Sequence, residues 1–171
     1  NGLHPAHVGA AAFDGEGTPT KRLCLIGNGT LENLLHSEAT ARQFGVHPTG
    51  HAGLGAKVSV GPDWFEVSSS KGVSGAASHL DHRNAGDTFV LIESLNALHA
   101  GVKASQGAFS LPFDGWLVKD GERISVEAAT IAGDIRDVLK GIVHLEPNEV
   151  VTHQGVSPHV WVDGLAITGE A

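Results

Sequence analysis

The stretch WLVKDGERISV, Trp116 to Val126, decides the fold. Two short runs that favour strands, Trp116–Lys119 and Glu122–Val126, flank Asp120-Gly121. Two residues of that kind between such runs predict a tight hairpin. The same punctuation recurs outward from it. Arg22–Ile26 is a nearly continuous apolar strand, Asn28-Gly29 is a turn whose central positions both need φ > 0, and Thr30–Leu35 returns as its partner.

TFVLIES, Thr88 to Ser94, is expected as a buried strand. Val143–Leu145, Val150–His153, Val160–Val162 and Leu165–Thr168 follow as short strands, and the two-residue turn Asp163-Gly164 favours antiparallel pairing. Helix signals are few. Ser37 caps a helix through Gln43 that Gly45 stops, and Asp134 caps another over Ile135–Lys140 with Gly141 after it. Gly50 to Gly86 is rich in Gly and Ser, with only Lys57–Val60 and Trp64–Ser68 reading as strands, so residues 68–86 are expected to be a mobile loop. The predicted class is mainly β (α+β), an antiparallel β sandwich or barrel carrying two short helices.

A length of 171 residues suits one ordinary domain, and the hydrophobic share of 41% a soluble composition. No apolar run approaches the roughly 20 residues of a membrane span. The net charge of −8 argues against direct nucleic-acid binding, which uses clustered Lys and Arg. No Met occurs and Asn1-Gly2-Leu3-His4 opens no signal peptide, so the chain is expected to be a processed or excised piece of a longer one. A single Cys, Cys24, permits no internal disulfide and no cysteine cage, and its apolar strand reads as burying it.

Candidate ligand patterns are incomplete. Asp14-Gly15-Glu16-Gly17 suggests a calcium loop, but Pro19 stands at the sixth position where Gly is needed, and Leu25 at the twelfth where Glu is needed. A turn explains it. His79 and His82 have H-x-x-H spacing without an evident third ligand, and His47 and His51 bracket Pro48-Thr49-Gly50, which opposes a helix between them. His153 and His159 span the turn-like QGVSP and are the candidates for metal, though the expectation is none. H-E-x-x-H, G-x-S-x-G, a P-loop and a dinucleotide loop are all absent from the chain. No residue is assigned a catalytic role, and substrate-binding residues stay unassigned.

The succession of motifs resembles the TldD/PmbA family. Phe13, Asp14, Glu16, Gly17 and Thr20 follow its F-D-D-E-G-x-x-T, then Asn28-Gly29 and Leu31 its N-G-x-L, then Thr40-Ala41 and Phe44-Gly45 its T-A-x-x-L/F-G. PTGHAG is similar to S-T-G-N-A. GVKASQGAFSLPFDGWLVKDGERISVEAATIAGDIRDVLKGI is similar to the later blocks, and VWVDGLAITGE to the closing strands. The resemblance spans nearly the whole chain and identifies it as a single C-terminal β domain, residues 1–171.

The resemblance implies cytoplasmic peptidases of peptide maturation, also labelled modulators of DNA gyrase, that work as pairs. One type carries zinc on H-E-x-x-x-H plus a late Cys, and the PmbA/TldE type lacks that motif. This chain has neither H-E-x-x-x-H nor a late Cys; VVTHQGVSPHVWV offers His153, Gln154 and Ser157 instead. The resemblance therefore implies a non-catalytic, peptide-enclosing partner, inactive alone and without a cofactor, that binds a TldD-type subunit or a second copy. Gly72 to Gly86 would line or gate the enclosure. The alternatives are a zinc peptidase half-site completed by the late histidines, with H-E-x-x-x-H upstream, and a purely structural or oligomerisation domain.

Overall fold

The computed structural model of the chain describes residues 1–69 and 88–170. Its contacts divide into two compact units, Asn1–Gly72 with Asn148–His159, and Val73–Pro147 with Val160–Ala171. No described helix is long and apolar enough to cross a membrane.

The first unit has short elements: β1 (Ile26–Gly27), β2 (Thr30–Leu31), α1 (Glu38–Phe44), β3 (Ala52–Gly53), β4 (Ser59–Val60) and β5 (Phe65–Glu66). β1 pairs with β2 and β3 with β4, both antiparallel. Helix α1 begins because Ser37 and Thr40 satisfy each other's backbone N–H groups in a capping box, and it ends on Gly45 at φ 67°. Ala41 is its buried residue.

The second unit is built on long strands: β6 (Thr88–Leu95), α2 (Leu98–Gly101), β7 (Val102–Lys103), β8 (Ala108–Lys119), β9 (Glu122–Asp134), α3 (Ile135–Lys140), the first part of β10 (Ile142–Val151), the last part of β11 (Gly155–Val162) and β12 (Ala166–Glu170), while residues 148–151 of β10 and 155–159 of β11 count with the first unit. Its main sheet has the order β12-β9-β8-β6, with β7 on β8. Asp120 at φ 52° and Gly121 at φ 81° turn β8 into β9, and Lys119 pairs with Glu122. The alternation of β8 buries Leu111 and Phe113 and exposes Pro112 and Asp114. Leu111, Phe113, Ala129 and Ile131 form the core, flanked by Val90, Ile92, Phe109, Val126 and Leu165. A second sheet has the order β10-β11-β5, and β11 pairs with β5 in parallel.

One crease crosses the main sheet. Phe113 pairs with Ala129 but Gly115 with Val126, so β9 carries an extra residue there. β12 meets the same irregularity between Thr168 and Glu170, and β6 has its own between Ile92 and Ser94. Ala128 sits inside the bulge at φ 49°, a left-handed conformation costly for a residue with a Cβ.

The class is mainly β, as the sequence predicts, and no sheet of described residues closes into a barrel. Both expected helices stand, and α2 is a third that no cap signals: Ala97 precedes it at φ 54° without a side-chain hydrogen bond. The Arg22–Ile26 and Thr30–Leu35 strands shrink to two residue pairs, because Glu32 N–H and Asn33 N–H both turn onto the Leu25 carbonyl and end the ladder. β6 is only half-buried, and Val143–Leu145 and Val150 belong to one strand, β10. Asp163-Gly164 closes no hairpin. β11 is the central strand of its own sheet, and β12 pairs with β9 instead. Residues 70–86 of the expected mobile loop lie outside the described residues, as do His79 and His82.

Candidate functional site

The motif stretch Phe13–Thr20 folds into a polar hub in the first unit. Asp14 Oδ1 accepts the backbone N–H of Glu16 at 3.0 Å and of Thr18 at 2.9 Å, while Oδ2 accepts that of Ala52 at 2.9 Å. Burial acts to raise its pKa. The N–H groups of Ala52, Thr18 and Glu16 and the nearby His51 outweigh that and hold it below the ordinary carboxylate value. Glu16 Oε2 accepts Glu38 N–H at 2.8 Å, in the first turn of α1. Both acids thus spend oxygens on the protein's own backbone. That is a structural tie, as the turn reading of this stretch expects.

Thr49 extends the hub by accepting His36 N–H at 2.9 Å and donating to His36 C=O at 3.2 Å. Thr20, Ser37, Thr49 and His51 are all buried, and His51 Nδ1 has no hydrogen-bond partner. His47 is exposed, in the loop after α1, so no helical turn brings it onto one face with His51. Nearby, His4 and His7 lie against the buried Trp64 ring at 5.5 and 5.0 Å.

The late hairpin carries the metal candidates. Thr152 donates both its N–H and its hydroxyl to the Gly155 carbonyl, and Phe65 N–H donates to the Gln154 carbonyl. β11 and β5 approach so closely that a Cβ at position 155 would collide with the Phe65 carbonyl, which requires glycine there. His153 sits exposed in the turn and His159 exposed on β11. Four strand positions separate Gly155 from His159, about 13 Å of extended chain. Among the described residues no group of three or more His, Cys, Asp or Glu side chains is placed to hold a metal ion.

Cys24 is not the buried hydrophobe expected. It is exposed and precedes β1, which spans only Ile26–Gly27. Desolvation and the neighbouring Glu32 hold its thiol above the ordinary value, which opposes a nucleophilic role.

Sequence reasoning missed a buried acid in the second unit. Glu146 is 3% exposed and accepts Trp161 Nε1–H at 2.6 Å, with His144 Nε2 at 4.0 Å and Phe89 packed on Trp161. The alternation Val143-His144-Leu145-Glu146 was the available signal, since it places His144 and Glu146 on one face of β10.

With this geometry in place, the comparison with known families is direct. The PmbA/TldA metallopeptidase C-terminal domain matches residues 1–169. The chain belongs to that family. It is 28% identical over 150 residues to metalloprotease PmbA of Escherichia coli O157:H7, covering 87% of this chain and 30% of that protein. A crystal structure of a candidate DNA gyrase modulator from Thermotoga maritima MSB8 is 31% identical and superposes with a TM-score of 0.79, covering 98% of this chain and 38% of that one. TldE of Thermococcus kodakarensis shares the fold at 20% identity, with a TM-score of 0.76 over 99% of this chain and 38% of its own. The chain spans about a third of the length of these relatives. In this chain the hub is built on the stretch that holds Phe13, Asp14, Glu16, Gly17 and Thr20.

Proposed function

We propose that this C-terminal domain serves a cytoplasmic peptide-processing protein as a non-catalytic, substrate-enclosing part, paired with a TldD-type subunit or with a second copy. The observation that carries the reading is the late hairpin. Where the resembling peptidases keep a zinc-binding Cys, this chain has Thr152-His153-Gln154-Gly155-Val156-Ser157, whose turn is occupied by its own hydrogen bonds. The relatives named as metalloprotease PmbA and TldE support the family context. Long strands suit an extended peptide, which adds backbone hydrogen bonds to a sheet edge without needing a particular side chain.

The test is to mix the chain with a purified TldD-type subunit and measure complex mass and peptide cleavage together. The proposal expects a defined complex and altered cleavage by the partner, with no cleavage by this chain alone. Absence of both would leave the purely structural alternative.

A further inference from the structure

The dipeptide Asp-Gly occurs four times, at Asp14-Gly15, Asp114-Gly115, Asp120-Gly121 and Asp163-Gly164, and the fold treats the four differently. In such a pair the backbone nitrogen of the glycine can attack the side-chain carboxyl of the aspartate. No Cβ blocks the approach, and the glycine backbone turns freely to make it. We infer that Asp163-Gly164 is a modification site where aspartate converts spontaneously to isoaspartate, while Asp14 and Asp114 are protected.

In that reaction Gly164 N, losing its proton, bonds to Asp163 Cγ, and one carboxyl oxygen leaves as water. The resulting succinimide takes up one solvent water at either carbonyl. Opening at Cγ restores aspartate and opening at the backbone carbonyl gives isoaspartate, so the mass is unchanged.

Asp163 and Gly164 are both exposed, in the short connection from β11 to β12. Those two strands lie in different sheets, so no ladder closes over the turn. Asp163 N–H donates to the Gly141 carbonyl at 2.9 Å, on the opposite side of its Cα from the reacting peptide. Neither the Asp163 carboxylate nor Gly164 N has a hydrogen bond among the described residues. The Asp163 carbonyl lies where a Cβ at position 141 would stand, and glycine there leaves the peptide room to turn.

At Asp14-Gly15 both reacting groups are taken. Asp14 Oδ1 and Oδ2 accept backbone N–H groups, and Gly15 N–H donates to the Ala52 carbonyl at 2.7 Å. Asp114 Oδ2 accepts the Ser94 hydroxyl at 2.9 Å and Asn96 Nδ2–H at 2.8 Å, and Gly115 is buried in β8 against Leu91. Asp120-Gly121 is held between Lys119 and Glu122, the pair that ends the β8–β9 ladder.

Isoaspartate adds a backbone atom three residues before Ala166, where β12 begins to pair with β9. Peptide mapping of the intact chain after prolonged incubation at mildly acidic pH, native and in denaturant, tests the inference. Isoaspartate is recognised by its separate elution and backbone fragmentation. In the native protein Asp163 should convert on the order of tenfold faster than Asp14 or Asp114, whereas in denaturant the sites should convert at similar rates. An Asp163 that stays intact, or converts no faster than Asp14 and Asp114 in the native chain, would overturn the inference. An equal lead in denaturant would overturn it too, because the fold would then play no part.

Discussion

The two units solve the problem of holding a β fold in different ways. In the second, strands of 8 to 13 residues pair along β6, β8 and β9, and the stabilising contact is apolar: Leu111, Phe113, Ala129 and Ile131 packed together. In the first, β1 to β5 are each two residues long, Thr20, Ser37, Thr49 and His51 are buried, and carboxylates hold backbone N–H groups. Short strands leave most backbone groups without a ladder, so side chains must supply the partners. The first unit is therefore sensitive to loss of a polar atom and the second to loss of volume.

That contrast can be broken by substitution. Phe113→Ala should cost the second unit the most, about 3–5 kcal/mol in denaturant unfolding, because it empties the middle of the core. If Phe113→Ala is nearly neutral, the core assignment is wrong. Asp14→Asn comes next, at about 1–3 kcal/mol, because an amide turns one donor toward backbone N–H groups that require acceptors.

The same residue fixes a pH dependence. The carboxyl pKa of Asp14 is lowered in the folded chain, so its stabilising contribution is complete above the unfolded value of about 3.9 and is lost as pH falls through the folded one. The stability gap between the natural chain and Asp14→Asn should accordingly narrow once pH drops to about 4, and a gap that widens on acidification would refute the tie.

Ser37→Ala should cost about 1 kcal/mol through loss of the α1 cap, seen as a lower unfolding midpoint. The smallest effect sharpens the crease. Ala128→Gly should stabilise by up to about 1 kcal/mol, since glycine adopts φ 49° without a Cβ penalty but loses more chain entropy.

The same division governs what the sequence could reveal. Asp120-Gly121, Ser37 with Gly45, and Asp134 with Gly141 act over a few residues by fixed local rules, and each was legible to the residue. The partner of β12 was not, because Asp163-Gly164 specifies a turn but not which strand lies open beyond it. Local pattern also could not tell that Glu32 and Asn33 would turn onto Leu25, which shortens the first hairpin, or that Cys24 would stand exposed. The acids of Asp14-Gly15-Glu16-Gly17 were readable as turn-formers, while their reach to Ala52 and Glu38 depends on chain far away. Glu146 beside Trp161 is of the same kind, a contact made across β10 and β11 that neither segment announces.

The reading of this domain as non-catalytic is tested most directly by its zinc content after chelation and re-addition of one equivalent. The account predicts sub-stoichiometric zinc that His153→Ala and His159→Ala leave unchanged. One zinc per chain, lost in either variant, would contradict it and make the late hairpin half of a metal centre.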